Sequence, residues 1–147
     1  SKYDGDYIFD FDNIADYELI ERKLKLIREY TDIIPKFYVF CGFDRKNKWD
    51  YDFWVQDVFD LMKRIQLLQQ YHCIPYIMRF NRYIESPYQG VYKVVAAWCN
   101  QPNFFKKKSL LEFASSGKNE SVSRLRHINK FLKDFPKFEE YINMKWM

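Results

Sequence analysis

Residues 74–80 read IPYIMRF, an apolar run that opens on proline and closes on arginine. Its length, its β-branched and aromatic content and its flanking turn residues predict a buried strand. Pro75 is compatible with this because it stands at the start. Two further segments have the same character: YIFDFD at residues 7–12 and KFYVFCGF at residues 36–43. The segments between them are helical. In DYELIERKLKLIREY, Leu19, Ile20, Leu24, Ile27 and Tyr30 recur at steps of one, three or four, with Asp16 as N-cap. In DFWVQDVFDLMKRIQLLQQY, Trp54, Val58, Leu61, Ile65 and Leu68 form a second stripe, with Asp52 as cap. Strand–helix–strand–helix–strand with connections of this length predicts right-handed crossovers and parallel strands.

Beyond the third strand, VYKVVAAWC and SLLEFA read as helices, with Ser109 and Glu112 spaced as a capping box. A polar break, SSGKNE, precedes SVSRLRHINKFLKDF and KFEEYINMKWM, both helical in pattern and separated by Pro136. The whole reads as one domain of 147 residues, with residues 115–147 as a helical extension.

Composition narrows the function classes. Apolar residues make up 48% and aromatics 20%, a globular balance rather than a disordered one. No run reaches the length of a membrane span, and SKYDGDYIFDFDN has neither the basic start nor the cleavage site of a secretory leader. Cys41, Cys73 and Cys99 are too widely spaced for a disulfide framework or a metal set, and read as reduced, buried thiols in a cytoplasmic protein. His72 and His127 have no partners at metal-ligand spacing. Gly5, Gly42, Gly90 and Gly117 stand alone, so there is no phosphate loop. No nucleophile–base pair is readable. Residues 101–147 hold 10 Lys/Arg against 5 Asp/Glu, a basic excess that suits either a solvated helical surface or nucleic acid.

In a parallel α/β sheet, ligands gather at the carboxyl ends of the strands. The three ends here supply Asp10, Asp12 and Asn13; Gly42 and Asp44; and Arg79, Asn81 and Arg82. Asp10 and Asp12 are two apart and share a face, with Phe9 and Phe11 on the other. Arg79 either neutralises Asp10 or Asp12, in which case it merely closes the sheet, or grips an anionic ligand group. Asn100, Gln101 and Asn103, around Pro102, either hold a loop or face a ligand.

The succession YIFDFDN, KFYVFCGFD, IPYIMRF and VYKVVAAWCNQPNFFKKKSLLEF resembles the C-terminal half of a radical S-adenosylmethionine (radical SAM) protein, over residues 7–114. The resemblance implies a three-stranded parallel βαβαβ half-barrel with added C-terminal helices. It implies cofactor-binding roles for Asp10 and Asp12 beside the sugar and amino-acid parts of S-adenosylmethionine, and for Gly42, Met78 and Arg79 beside its adenine. Asp44 joins this set from its place at the second strand end.

The chain departs from the family in lacking the C-x-x-x-C-x-x-C motif that holds a four-iron four-sulfur cluster, and the glycine-rich element of the first half. The cluster and S-adenosylmethionine would then belong to a complete parent enzyme. This chain would be a fragment or relic, inactive alone, whose open face is covered by a second copy, by the missing N-terminal half-barrel or by its own C-terminal helices. The competing expectation is a basic, aromatic-rich interaction module, for instance for nucleic acid.

Overall fold

The computed structural model describes residues 8–146. Three parallel strands, β1 (Ile8–Asp10), β2 (Lys36–Cys41) and β3 (Ile74–Arg79), form one sheet in the order β1-β2-β3. Helix α1 (Tyr17–Tyr30) links the first pair and α2 (Tyr51–Gln70) the second. After β3 come α3 (Gln89–Cys99), α4 (Pro102–Lys107), α5 (Leu110–Ser115), α6 (Glu120–Asp134) and α7 (Glu139–Ile142). The predicted strand residue Tyr7 lies outside the described residues.

Alternation along the strands divides the sheet into two faces. Phe37, Val39, Cys41 and Ile77 are buried under the helices. On the opposite face Ile8 is level with Lys36 and Ile74, Asp10 with Tyr38 and Tyr76, and Phe40 with Met78. Among the described residues no layer covers the middle of that face: Tyr38 is 40%, Tyr76 51% and Met78 46% exposed.

Helix α2 is the core element. Trp54, Val58, Leu61, Ile65 and Leu68 are all buried, as its stripe predicts. The C-terminal helices do not fold back over the open face. Phe131 and Phe138 instead join Phe59 of α2 in an aromatic cluster, with Phe131–Phe138 centroids 4.8 Å apart. Basic residues dominate the polar side of α6, but Ile128 and Phe131 are buried, and these apolar contacts on the helix layer hold it.

The termini of the helices differ in part from expectation. Asp50, not Asp52, caps α2, accepting from the Phe53 N–H at 2.9 Å. Asp16 caps nothing. A 3-10 turn, Ile14–Asp16, runs directly into α1, and it is Asn13 that accepts the Ala15 N–H. The Ser109–Glu112 capping box is formed in both directions. On α1 only Ile20 and Leu24 are fully buried, while Leu19 and Tyr30 of the predicted stripe lie exposed.

Candidate functional site

The carboxyl ends of β1 and β2 part around a cleft of about 460 Å³. The β1–α1 turn supplies Asp12 and Asn13, the segment after β2 supplies Phe43 to Lys46, and α2 supplies Asp57, Asp60 and Arg64.

The cleft exists because the β1–β2 ladder ends early. Phe11 N–H still donates to the Tyr38 carbonyl at 2.8 Å. The next rung is made by side chains. Asp12 Oδ1 accepts the Phe40 N–H at 3.1 Å, and Arg64 Nη1 donates to the carbonyls of Phe11 and Phe40, both at 2.8 Å. Arg64 is only 2% exposed, and its Nε also donates to the Asp60 carbonyl at 3.3 Å. A guanidinium has five donors in a fixed fork, so one side chain can satisfy several carbonyls that diverging strands leave unpaired.

A second network lies beside it. Asp57 Oδ2 accepts the Gly42 N–H at 2.8 Å and the Tyr92 hydroxyl at 2.6 Å. Burial pushes the Asp57 carboxyl above its ordinary range, against the opposing pull of the Tyr92 and Gly42 hydrogen bonds and the charge of Arg64. Burial also pushes Asp12 up, with Asp10 adding to the rise, while the Phe40 N–H and Arg64 oppose it. Gly42 has φ of +77°, a conformation an L side chain rarely adopts. Its carbonyl accepts from Trp49 Nε1 at 3.0 Å, so the peptide groups on either side of this residue are both held.

The six residues singled out in the sequence therefore fall into four groups. Asp12 and Asp44 line the cleft, although Asp44 spends its carboxylate on the Lys46 and Lys48 N–H groups of its own loop. Gly42 adjoins the cleft through Asp57. Asp10 and Met78 stand on the open face. Arg79 is at the same end of the sheet but on β3, two strand spacings or about 10 Å from β1. It pairs with neither Asp10 nor Asp12. Its guanidinium lies 4.7 Å from the centre of the Tyr83 ring, and among the described residues it makes no ion pair. Arg82, next along, stacks on Trp49 at 3.9 Å and binds Glu85. Asn100 holds structure: its amide accepts from the Ile77 N–H at 2.7 Å and donates to the Ile77 carbonyl at 3.2 Å.

No protein-family model, curated protein or solved structure matches this chain. The chemistry of the site is therefore read from its residues. Four carboxylates, Asp12, Asp44, Asp57 and Asp60, and one buried guanidinium around a polar cleft can bind a small polar molecule bearing both signs of charge. Among the described residues no group of His, Cys, Asp and Glu is placed to hold a metal ion, and no helix is long and apolar enough to cross a membrane.

Asp57, Arg64 and Tyr92 were not singled out in the sequence. A signal for two of them was present. Trp54, Asp57, Leu61, Arg64 and Leu68 follow each other at steps of three and four, which places two charges within the buried stripe of α2.

Proposed function

We propose that this chain is a half-barrel, the C-terminal half of a partial β/α barrel of the radical SAM type, that it supplies part of an S-adenosylmethionine and substrate site in the cytoplasm, and that it carries out no reaction alone. One observation supports this above the others: among the described residues, the parallel sheet is covered on one face only. Parallel sheets are normally covered on both. The bare face carries Asp10, Tyr38, Tyr76 and Met78, a mixture of charge, hydroxyl and apolar surface. Such a face suits the inside of a barrel, where it would meet a ligand. In this reading Asp10, Asp12, Gly42, Asp44, Met78 and Arg79 line the ligand's path, and the cluster is held by the other half.

Titration of this chain with S-adenosylmethionine, followed by amide chemical shifts, tests the proposal. Changes confined to Asp10, Asp12, Tyr38, Gly42, Asp44, Met78 and Arg79 and their immediate neighbours are expected. Changes elsewhere, or none at millimolar nucleoside, would sink it. Anaerobic reconstitution with iron and sulfide should leave the chain without a stoichiometric cluster.

A second reading has an observation of its own. Tyr38 and Tyr76 stand side by side on the open sheet, centroids 6.0 Å apart, with Lys36 one pleat away. Exposed aromatic pairs stack bases in single-stranded nucleic acids. Oligonucleotide binding that weakens steeply with salt, and that is lost in the Tyr38→Ala and Tyr76→Ala variants, would establish this instead.

A further inference from the structure

We propose that the cleft beside β1 and β2 binds a guanine nucleotide, with the edge of the base on Asp12 and Arg64 and the phosphate at Arg45 and Lys46. The assignment goes beyond the half-barrel reading and stands on the cleft alone.

Arg64 has a charge that the fold leaves partly unanswered. It is buried, yet among the described residues it makes no ion pair. Its Nε and Nη1 donate to the carbonyls of Asp60, Phe11 and Phe40, all neutral acceptors. Nη2 donates to no described residue. Nor is it sealed in: among the described residues, Arg28 Nε is the one fully buried side-chain atom of this kind without a partner. The free corner of the Arg64 guanidinium therefore opens on the cleft that the residue lines. A buried cation with no paired anion offers strong donors to a ligand oxygen.

Asp12 stands next to this corner. The Phe40 N–H donates to Asp12 Oδ1 at 3.1 Å, and the Phe40 carbonyl accepts from Arg64 Nη1 at 2.8 Å. The N–H and carbonyl of one strand residue point the same way. The carboxylate and the guanidinium are therefore neighbours on the cleft floor. Asp12 Oδ2 accepts from no described residue. A free acceptor thus lies beside a free donor.

A full charge on the ligand suits this floor poorly. A carboxylate on Arg64 would stand among Asp12, Asp57 and Asp60, and an ammonium on Asp12 would stand against Arg64. A neutral edge that sets a carbonyl beside N–H groups meets both residues and carries the two signs as partial charges. Guanine has such an edge. Its O6 accepts from Arg64, while N1–H and the 2-amino group donate in parallel to a carboxylate, which can take two such bonds. Adenine offers the carboxylate one donor only.

The rest of the cleft fits a nucleotide. Phe40, Phe43 and Phe53 line it, and Phe43 is 44% exposed and stacked on Phe40 with centroids 5.8 Å apart. A planar base extracted from water stacks on such rings. The volume of about 460 Å³ is in the range of small-molecule sites. Arg45 and Lys46 line the same cleft, are exposed, and make no ion pair among the described residues, which leaves both for a phosphate.

Titration with the monophosphates of guanosine, adenosine and xanthosine, followed by amide chemical shifts, tests the site. Guanosine monophosphate should saturate it, with shifts at Asn13, Phe40, Phe43 and Lys46, and should bind at least about tenfold more tightly than the adenosine compound. Asp12→Asn keeps an oxygen for the Phe40 N–H and places an N–H where the carboxylate accepted. That variant should prefer xanthosine monophosphate, whose second carbonyl replaces the 2-amino group, and a purely structural Asp12 would produce no such exchange. Lys46→Ala should weaken the nucleotide and leave the nucleoside guanosine unchanged. The proposal is overturned by equal affinity for the guanosine and adenosine compounds, by an unchanged order of preference in Asp12→Asn, or by no saturation at millimolar nucleotide. A short single strand with one guanine separates the sources of the base. Tighter binding than the nucleotide assigns it to nucleic acid and weaker binding to a free nucleotide, and the guanine edge stands in either case. S-adenosylmethionine would be read at Asp10, Tyr38 and Met78 on the open face, outside these shifts, so either reading can fail without the other.

Discussion

Arg64 of α2 donates to the carbonyl of Phe11 at 2.8 Å, across the point where β1 and β2 separate. The same nitrogen reaches the Phe40 carbonyl, so one buried cation closes the ladder that the backbone leaves open. Replacing it with methionine keeps the volume and orphans both acceptors. Each unsatisfied buried acceptor costs about 1–3 kcal/mol. Arg64→Met should therefore lower unfolding free energy by about 3 kcal/mol in urea titration, and Arg64→Lys should recover little of it, because an ammonium lacks the planar fork. A loss under about 1 kcal/mol would mean that water replaces the guanidinium without cost.

Asp57 sets a pH dependence of definite sign. Burial raises its folded-state pKa above the ordinary carboxylate range. The folded state then holds the proton more tightly than the unfolded state does. Its contribution to stability is complete at acid pH and is lost as pH rises through the folded-state value. Asp57→Asn keeps an acceptor for the Gly42 and Tyr92 donors and does not titrate. As pH rises from about 4 through the folded-state value, the variant should gain in stability relative to the parent, and the difference should level off above it. A constant difference across that range would rule out the raised carboxyl.

Gly90 of α3 packs against the His127 ring of α6. A Cβ there would collide with the His127 ring at Nδ1. Gly90→Ala should cost about 1–3 kcal/mol by overpacking. Adding His127→Ala should return most of that loss, so a double-mutant cycle should show strong coupling. Independent, additive effects would contradict the contact.

Asn100 protects the β3 edge. Asn100→Leu removes both bonds to Ile77 and should destabilise by about 2 kcal/mol. It should also make the chain prone to association through the uncovered edge, visible as concentration-dependent light scattering. Loss of stability with unchanged association would show that Pro75 alone guards that edge.

The three cysteines are buried, and burial pushes the Cys73 thiol up to about 12 and those of Cys41 and Cys99 upward as well. Thiol-disulfide reagents attack the thiolate. Labelling of the native chain should be at least about a hundredfold slower than in denaturant. A cysteine that reacts rapidly in the native state would show that its covering helices open.

Much of the architecture was legible in sequence, because strand and helix differ in the period of their apolar residues. YIFDFD, KFYVFCGF and IPYIMRF contain the three strands, and their parallel order followed from the helices between them. The site was less legible. Arg79 shares the helix-covered parity of Pro75 and Ile77, yet it ends the strand, and the turn that follows lets its guanidinium reach over Tyr83 to solvent. Its length and its position at a terminus decide where the charge goes, and periodicity does not encode either. Asp57 and Arg64 were hidden for the opposite reason. They are charged, so residue type suggests surface, while their spacing within the α2 stripe places them inside.

The C-terminal segment has a practical consequence. Trp146 Nε1 donates to the Cys73 carbonyl at 3.0 Å and Gln69 Nε2 to the Met144 carbonyl at 3.0 Å, latching the tail beneath the start of β3. The cleft and the strand ends lie at the other pole of the sheet. A protein tethered to a sensor surface or bead through this tail would present its cleft and strand ends to the flowing solution, whereas a tether near the carboxyl ends of the strands would crowd them.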